Sequence, residues 1–155
     1  MCEISVTLSD VSLDPEMAHG AFRRRAAGCG AIVAFTGITR EDDHGKSVAA
    51  LTLQHYPGFT EKEINKIAAV AAKRWPLEHI EIVHCVGVLR PGDPIVFVAA
   101  ASRHRRAAFS GADFLMDYLK SEAPLWKKET SGDTEKWIEP RAEDFIDKAR
   151  WEKEG

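Results

Sequence analysis

The sequence has few cysteines and no long apolar run. Its three cysteines, Cys2, Cys29 and Cys85, are odd in number and form no C-x-x-C pair, so neither a disulfide framework nor a zinc knuckle is predicted. The apolar stretch at residues 94–101 is far shorter than the roughly 20 residues that a membrane-spanning helix needs. The first eight residues lack the basic region and apolar core of a secretory signal. We therefore expect a cytoplasmic protein that does not enter a membrane.

Familiar catalytic motifs are also missing. The sequence contains no G-x-G-x-x-G, Walker-type glycine loop, H-E-x-x-H or G-x-S-x-G motif, so neither a metal nor a cofactor is expected. The formal net charge of -3 excludes a globally basic nucleic-acid-binding protein, although it is compatible with a local cationic pocket. With 45% hydrophobic residues, the whole chain of 155 residues is expected to form one domain that buries a core.

The pattern of apolar residues predicts an α+β domain with an antiparallel sheet and two long helices. Predicted strands span residues 3–8, 31–37, 48–56, 80–88 and 95–101, and the second of them is expected to be buried. Predicted helices span residues 15–27, 60–75, 105–122 and 141–151, with a hairpin around the turn at 131–134. Thr60 and Glu63 are expected to form a capping box. The short turn at 89–93 predicts that its flanking strands are antiparallel.

Positive charges cluster where predicted strands meet helices or loops. Arg40 follows the first apolar strand, residues 103–106 follow another strand, and three lysines flank a connection that contains Pro124. Such strand ends are where a rigid scaffold holds an adaptable binding segment. The sequence therefore predicts a site for anionic ligands.

His104 and Arg105 lie at the predicted start of a long helix, where free N–H groups and the helix dipole favour a phosphate. The alternative is a helix start that is simply solvated. If Lys120 and Lys127 share a partly desolvated pocket, their repulsion lowers the pKa of at least one of them and supplies a neutral amine. The alternative for each lysine is an exposed cation.

Colinear segments between residues 28 and 141 resemble the large subunit of molybdopterin synthase. The matching segments are Gly30-Ala31-Ile32-Val33-Ala34-Phe35-Thr36-Gly37 with Arg40, Leu51-Thr52-Leu53-Gln54-His55-Tyr56-Pro57-Gly58, Arg74-Trp75-Pro76-Leu77, Pro91-Gly92-Asp93, His104-Arg105, Met116-Asp117-Tyr118-Leu119-Lys120 and Ala123-Pro124-Leu125-Trp126-Lys127-Lys128-Glu129. The occurrence of all these segments in the same order as in the family is a more specific sign of it than any single segment.

The resemblance implies an α/β hammerhead fold and a heterotetramer in which two large subunits form a central homodimer. Each large subunit would bind one small ubiquitin-like sulfur-carrier subunit, whose C-terminal Gly-Gly tail carries a thiocarboxylate. The implied reaction is two successive sulfur transfers to cyclic pyranopterin monophosphate, which form the dithiolene of molybdopterin. The implied pocket maps onto Arg40, His104, Arg105, Lys120, Lys127 and Lys128, with Ile38, Thr39, Glu129 and Arg141 beside them.

The charges of these residues suit the two anionic reactants that the resemblance implies. We hypothesise that Arg40, His104 and Arg105 hold the phosphate and the pterin. Lys120 and Lys127 would steer the thiocarboxylate and shuttle protons as catalytic residues. Some members of the family have lysine where this chain has Ile38, so only the backbone of Ile38 is expected to contribute.

Two other functions fit the same cationic residues. One is a phosphate-handling transferase or hydrolase that uses no sulfur. The other is a non-enzymatic scaffold that binds a ubiquitin-like tail, or RNA, through its arginine-rich segment; the acidic overall charge disfavours RNA.

Overall fold

The computed structural model describes residues 1–43, 46–47 and 49–153. Its strands are β1 (Glu3–Ser9), β2 (Ala31–Ile38), β3 (Asp42–Asp43), β4 (Lys46–Ser47), β5 (Ala50–His55), β6 (Leu77–Cys85), β7 (Gly87–Leu89), β8 (Pro94–Ser102), β9 (Leu125–Ser131) and β10 (Thr134–Ile138). Its helices are α1 (Pro15–Arg25), α2 (Phe59–Arg74), α3 (Arg105–Ser121) and α4 (Ala142–Lys153). Val48, where the third strand was predicted to begin, and the last two residues of the predicted domain lie outside the described residues. Within the described residues, no helix is both long and apolar enough to cross a membrane.

The larger sheet has the strand order β1-β6-β8-β2 and is mixed rather than antiparallel. The predicted antiparallel sheet is wrong for one pair, because β1 runs parallel to β6, with Ile4 opposite Ile80. No tight turn joins these two strands, so their relative direction was not constrained by a hairpin. The pair β6 and β8 is antiparallel, as predicted, although the turn at 89–93 joins β7 rather than β6 to β8.

The apolar run of β8 is buried on both faces of the larger sheet. Val96 and Val98 pack in the main core with helices α2 and α3. Phe97 and Ala99 pack on the other face against Phe22 of α1. Alternate side chains of a strand point to opposite faces, so a continuous apolar strand indicates a sheet with layers on both sides.

Strand β2, predicted to be buried, lies instead at the edge of this sheet and has β8 as its one neighbouring strand. Its Phe35 is 42% exposed and Ile38 is 50% exposed. A buried central strand and an apolar edge strand have the same composition, so the sequence could not distinguish them. The edge leaves backbone groups and apolar side chains available to a neighbour.

The second sheet has the order β10-β9-β5-β7 and is antiparallel throughout. The single strand predicted over residues 80–88 is wrong here, because the chain leaves the larger sheet after Cys85 and β7 pairs with β5. Gly87 stands at this junction with a φ of 88°, a conformation that glycine adopts without a steric cost. The hairpin predicted around 131–134 is confirmed as the β9–β10 turn.

Helix α2 begins differently from the prediction. Its first residue is Phe59, and the Glu61 carboxylate accepts the N–H of Gly58 at 3.3 Å, so the expected capping box of Thr60 and Glu63 is wrong. Thr60 is instead fully buried; its hydroxyl accepts the N–H of Tyr56 at 2.8 Å and donates to the carbonyl of Pro124 at 3.0 Å. This bond ties the start of α2 to the connection that leads into β9.

Helix α4 lies antiparallel along the second half of α3. Lys148 pairs with Glu122 at 2.6 Å, while Trp151 donates its indole N–H to Asp117 at 2.6 Å. Arg150 also binds Asp117, at 2.8 Å. These contacts place the beginning of α4 beyond the end of α3, next to the connection into β9.

Candidate functional site

Lys127 is the centre of the site. It lies on the core-facing side of β9, opposite Leu53 of β5, and its side chain is half-buried. Burial lowers the pKa of Lys127, and the positive charges of Lys120 and Arg40 lower it further, whereas the carboxylate of Asp144 raises it. Elements distant in sequence therefore bring Lys120, Arg40 and Asp144 close to Lys127.

A buried histidine lies beside Lys127. His84, near the end of β6, is 6% exposed, and its Nδ1 lies 2.8 Å from the carbonyl oxygen of Cys85. Because a carbonyl can only accept, Nδ1 is assigned the proton and Nε2 stays an acceptor in the neutral ring. Burial lowers the pKa of His84 to about 4, and the charge of Lys127 acts in the same direction, against the bond to Cys85. The ring is therefore neutral at pH 7.

The titration of His84 predicts how stability depends on acid. The folded-state pKa of about 4 lies below the unfolded value of 6.5, so the unfolded chain binds the proton first as the pH falls. The contribution of neutral His84 to the free energy of unfolding is complete above pH 6.5 and is lost as the pH falls from 6.5 to 4. It amounts to about 3 kcal/mol at 1.36 kcal/mol per pKa unit. In His84→Gln, the free energy of unfolding should fall less over this range than in the unchanged protein. Urea unfolding at each pH measures it, with the exposed His19→Gln as control; equal slopes in all three proteins would contradict the assignment.

The segment after β2 is held by the turn between β7 and β8. The N–H of Thr39 donates to the carbonyl of Asp93 at 2.8 Å, and the N–H of Gly92 donates to the carbonyl of Thr39 at 2.8 Å. Thr39 is 5% exposed, and its hydroxyl has no hydrogen-bond partner among the described residues. Ile38 and Arg40 on either side are exposed. The Pro-Gly-Asp turn thus fixes the backbone from which Arg40 projects.

Lys128 does not join Lys127. Adjacent residues of a strand point to opposite faces, and Lys128 lies on the outer face of the second sheet. There it pairs with Glu135 at 3.5 Å, with its ammonium 5.7 Å from the ring centre of Trp137. Glu129 shares the inner face with Lys127 by the same alternation. The predicted set of lysines is therefore divided between two faces.

Arg141 lies at the start of α4. Its N–H donates to the carboxylate of Asp144 at 2.9 Å, and its guanidinium pairs with Glu143 at 3.7 Å. The position of Asp144 within this first turn brings Arg141 to the Lys127 end of the molecule. Sequence reasoning assigned no chemistry to Asp144 or to His84.

His104 and Arg105 lie at the other end of the molecule. They begin α3, whereas Lys120 ends it, and 15 residues at a rise of 1.5 Å separate Arg105 from Lys120 by about 22 Å. Both residues at the helix start are exposed, and Arg105, Arg106 and Phe109 line a cavity of about 260 Å³. One chain therefore does not bring Arg105 to Lys127. The hypothesised pocket is present as two separate cationic parts.

The three cysteine thiols are unsuited to carry sulfur. Burial, together with a hydrogen bond to Glu78 at 2.7 Å, raises the pKa of Cys29 to about 11. Burial also raises the pKa of Cys2 and of Cys85. A protonated thiol is a poor nucleophile, so these pKa shifts disfavour a cysteine of this chain as the carrier of sulfur. Across the part of the chain that the structure describes, His, Cys, Asp and Glu side chains form no metal-binding group of three or more.

Comparisons with known proteins assign the chain to a family. The model of the MoaE protein family matches residues 8–122. A molybdopterin synthase catalytic subunit from Pseudomonas aeruginosa is 45% identical over 149 residues, which cover 96% of this chain and 99% of that protein. The chain belongs to the MoaE protein family. Its likeness to the solved structure of molybdopterin cofactor biosynthesis protein E from Burkholderia multivorans has a TM-score of 0.80 at 42% identity and covers 97% of each chain.

The MoaE assignment confirms the family and the enzyme class that the sequence predicted, a molybdopterin synthase catalytic subunit of molybdenum cofactor biosynthesis. It disfavours the two rival functions. A complex of subunits 1 and 2 of molybdopterin-converting factor from Helicobacter pylori also shares the fold, with a TM-score of 0.75 at 19% identity, covering 88% of this chain and 91% of that chain. The mixed α/β fold of four helices and two four-stranded sheets in the described residues agrees with the Burkholderia multivorans structure.

Proposed function

We propose that this chain transfers sulfur from the thiocarboxylated Gly-Gly tail of a small ubiquitin-like subunit to cyclic pyranopterin monophosphate. The observation that carries the proposal is the half-buried ammonium of Lys127 with Lys120 and Arg40 close enough to lower its pKa. Two exposed cations beside a half-buried one repel each other, and an anion bound between them relieves that repulsion. A thiocarboxylate and a phosphate are the two anions that the reaction brings together.

The roles of the residues follow from their position. Lys120 and Lys127 are the proposed catalytic residues, which hold the thiocarboxylate while its sulfur bonds to a carbon of the precursor and the C–O bond at that carbon breaks. The displaced oxygen leaves as a phosphate oxygen or, after taking up a proton, as water. Water then cleaves the acyl–sulfur bond; the acyl group leaves as the partner's carboxylate and the sulfur stays on the pterin. A lysine amine accepts the proton released in this step. Two such transfers make the dithiolene.

The substrate-binding residues come from both cationic parts. Arg40, the hydroxyl of Thr39 and the backbone of Ile38 form one wall next to Lys127. His104 and Arg105 are proposed to bind the phosphate. Lys128, Glu129 and Arg141 keep their proposed substrate contacts. Lys128, on the outer face of its own sheet, is the most distant of them.

We further propose that a second copy of the chain completes the site. Strand β2 is an edge with exposed Phe35 and Ile38, and two such edges paired about a two-fold axis perpendicular to the sheet run antiparallel. The Ala31 end of one β2 then meets the Ile38 end of the other. Ala31 pairs with Ser102, just before His104, so the pairing brings Arg105 of one copy toward Arg40 of its neighbour.

The proposed assembly is a heterotetramer in the cytoplasm, with this homodimer at its centre and one small subunit bound at each site. The two-subunit complex from Helicobacter pylori supports the partner, because it shares the fold. The hammerhead arrangement, with all 155 residues in one domain, belongs to the same proposal. No nucleic acid or membrane takes part in it.

Mixed dimers test both the function and the shared site. Arg105→Ala and Lys127→Ala chains with different affinity tags are co-expressed, and the mixed dimer is isolated through both tags. Dithiolene formation is measured with thiocarboxylated small subunit and cyclic pyranopterin monophosphate. Each single variant should be inactive, whereas the mixed dimer should recover about half of the unchanged activity, because one of its two sites keeps both residues.

The control is a mixed dimer of two unchanged, differently tagged chains, which should be fully active. If the mixed dimer of Arg105→Ala and Lys127→Ala chains is inactive while the control is active, both residues act within one chain, and the shared site is contradicted. Absence of dithiolene in the unchanged control would contradict the proposed reaction itself.

A further inference from the structure

The beginning of α4 lies at Lys127 because of how α4 packs on α3. Moving back along α4 from Trp151 to Lys148 shifts the partner forward from Asp117 of α3 to Glu122, the residue that follows α3. One more turn back, at Asp144, the antiparallel register passes the end of α3 at Ser121. The chain there turns into β9, two residues before Lys127.

Several bonds hold this arrangement in place. The hydroxyl of Thr60 donates to the carbonyl of Pro124 at 3.0 Å and ties the connection into β9 to the buried start of α2. Trp151 anchors the far end of α4 with 5% of its surface exposed. The carboxylate of Asp144 accepts the N–H of Arg141, and the N–H of Asp144 donates to the Arg141 carbonyl at 3.0 Å. The Asp144 side chain is thereby held at the helix start.

We propose that Asp144 is a positioning residue for Lys127: the C-terminal helix brings its carboxylate to the site as a counter-charge that keeps the Lys127 ammonium in place among the other cations. The inference rests on the proposed role of Lys127 in sulfur transfer. It makes α4, which follows the residues 8–122 matched by the MoaE family model, a part of the active site.

The charges around Lys127 explain why a counter-charge is needed. Lys120 at the end of α3 and Arg40 after β2 repel its ammonium, and burial penalises the same charge. The neutral His84 of β6 offers no negative charge. Glu129 of β9 shares the inner face with Lys127, and Asp144 of α4 brings a carboxylate from another element that acts in the opposite direction to the cations and raises the Lys127 pKa. Without it, the side chain would lose its proton at a lower pH or turn outward to solvent.

Asp144→Asn in the full-length chain tests the proposal. Asparagine keeps an oxygen that can accept the Arg141 N–H, so the helix start is retained while the charge is removed. The titration of Lys127 is followed without substrate, by trace acetylation with acetic anhydride at a series of pH values and mass spectrometry of the Lys127 peptide. We expect the midpoint to move to lower pH in Asp144→Asn and to return toward the original value in Asp144→Glu.

Asp147→Asn is the matched control, because it removes the same charge from an exposed position one turn further along α4. Its Lys127 midpoint should equal that of the unchanged protein. An unmoved midpoint in Asp144→Asn, or an equal movement in both variants, would overturn the proposal. In the dithiolene assay, the part of the pH–rate profile that follows the protonation of Lys127 should shift in the same direction as the acetylation midpoint. If the midpoint moves but the unchanged protein forms no dithiolene, the proposed function is wrong, whereas the effect of Asp144 on Lys127 still stands.

Discussion

Replacing Lys120 by alanine should reduce dithiolene formation on the order of 10²- to 10⁴-fold, the range typical of a lost proton-transferring group. Lys120 is exposed at the end of α3, so the free energy of unfolding should change by no more than about 0.5 kcal/mol. Because Lys120 lowers the pKa of Lys127, its removal should raise that pKa. Product formation with saturating small subunit measures the first effect, and chemical unfolding the second.

The control is Lys62→Ala, which removes an exposed lysine of α2 that has no proposed catalytic or substrate-binding role. It should keep full activity. Calorimetric titration with the small subunit should give a similar affinity for both variants, because Lys120 is proposed to act on the reacting group rather than to hold the partner. Retained turnover in Lys120→Ala would exclude Lys120 from catalysis.

Replacing Trp151 by alanine should lower the free energy of unfolding by about 3–5 kcal/mol, as expected for a buried aromatic residue. The ring centre of Trp151 lies 5.3 Å from that of Trp75 and 5.7 Å from that of Phe114, so the substitution opens a cavity among aromatic rings. It also removes the indole hydrogen bond to Asp117. Urea unfolding at pH 7 measures the loss.

Phe145→Ala on the same helix serves as the comparison, because Phe145 is largely exposed. Its free energy of unfolding should change by about 0.5 kcal/mol or less. A similarly small change in Trp151→Ala would mean that α4 is not packed on α3 as described. The register that brings Asp144 to Lys127 would then have no support.

Much of the fold could be predicted from local patterns. The apolar periodicity of α3 and the proline after it predicted its ends within a residue, and the turn chemistry at 131–134 predicted the hairpin. The prediction of one continuous strand across Gly87 was wrong because its neighbours are apolar and suit a strand in either sheet. The partner of β1 depends on contacts between residues more than 70 positions apart, which no local pattern encodes.

The candidate site was predictable in residue type more than in geometry. The cationic residues were recognised, and two simple rules could have arranged them better. Strand alternation separates Lys127 from Lys128, and the rise of a helix separates Arg105 from Lys120. His84 and Asp144 carried no comparable signal, because a histidine in an apolar strand and an aspartate in a helix start most often have structural roles.

The length of α3 has a consequence for the proposed pairing. Because the helix holds its two charged ends about 22 Å apart, a single protomer contains both cationic parts but cannot bring them together in one active site. Turnover per chain would then decline on dilution below the dissociation constant of the pair, by mass action. Activity would therefore require assembly, and sulfur would be released only in the complete enzyme.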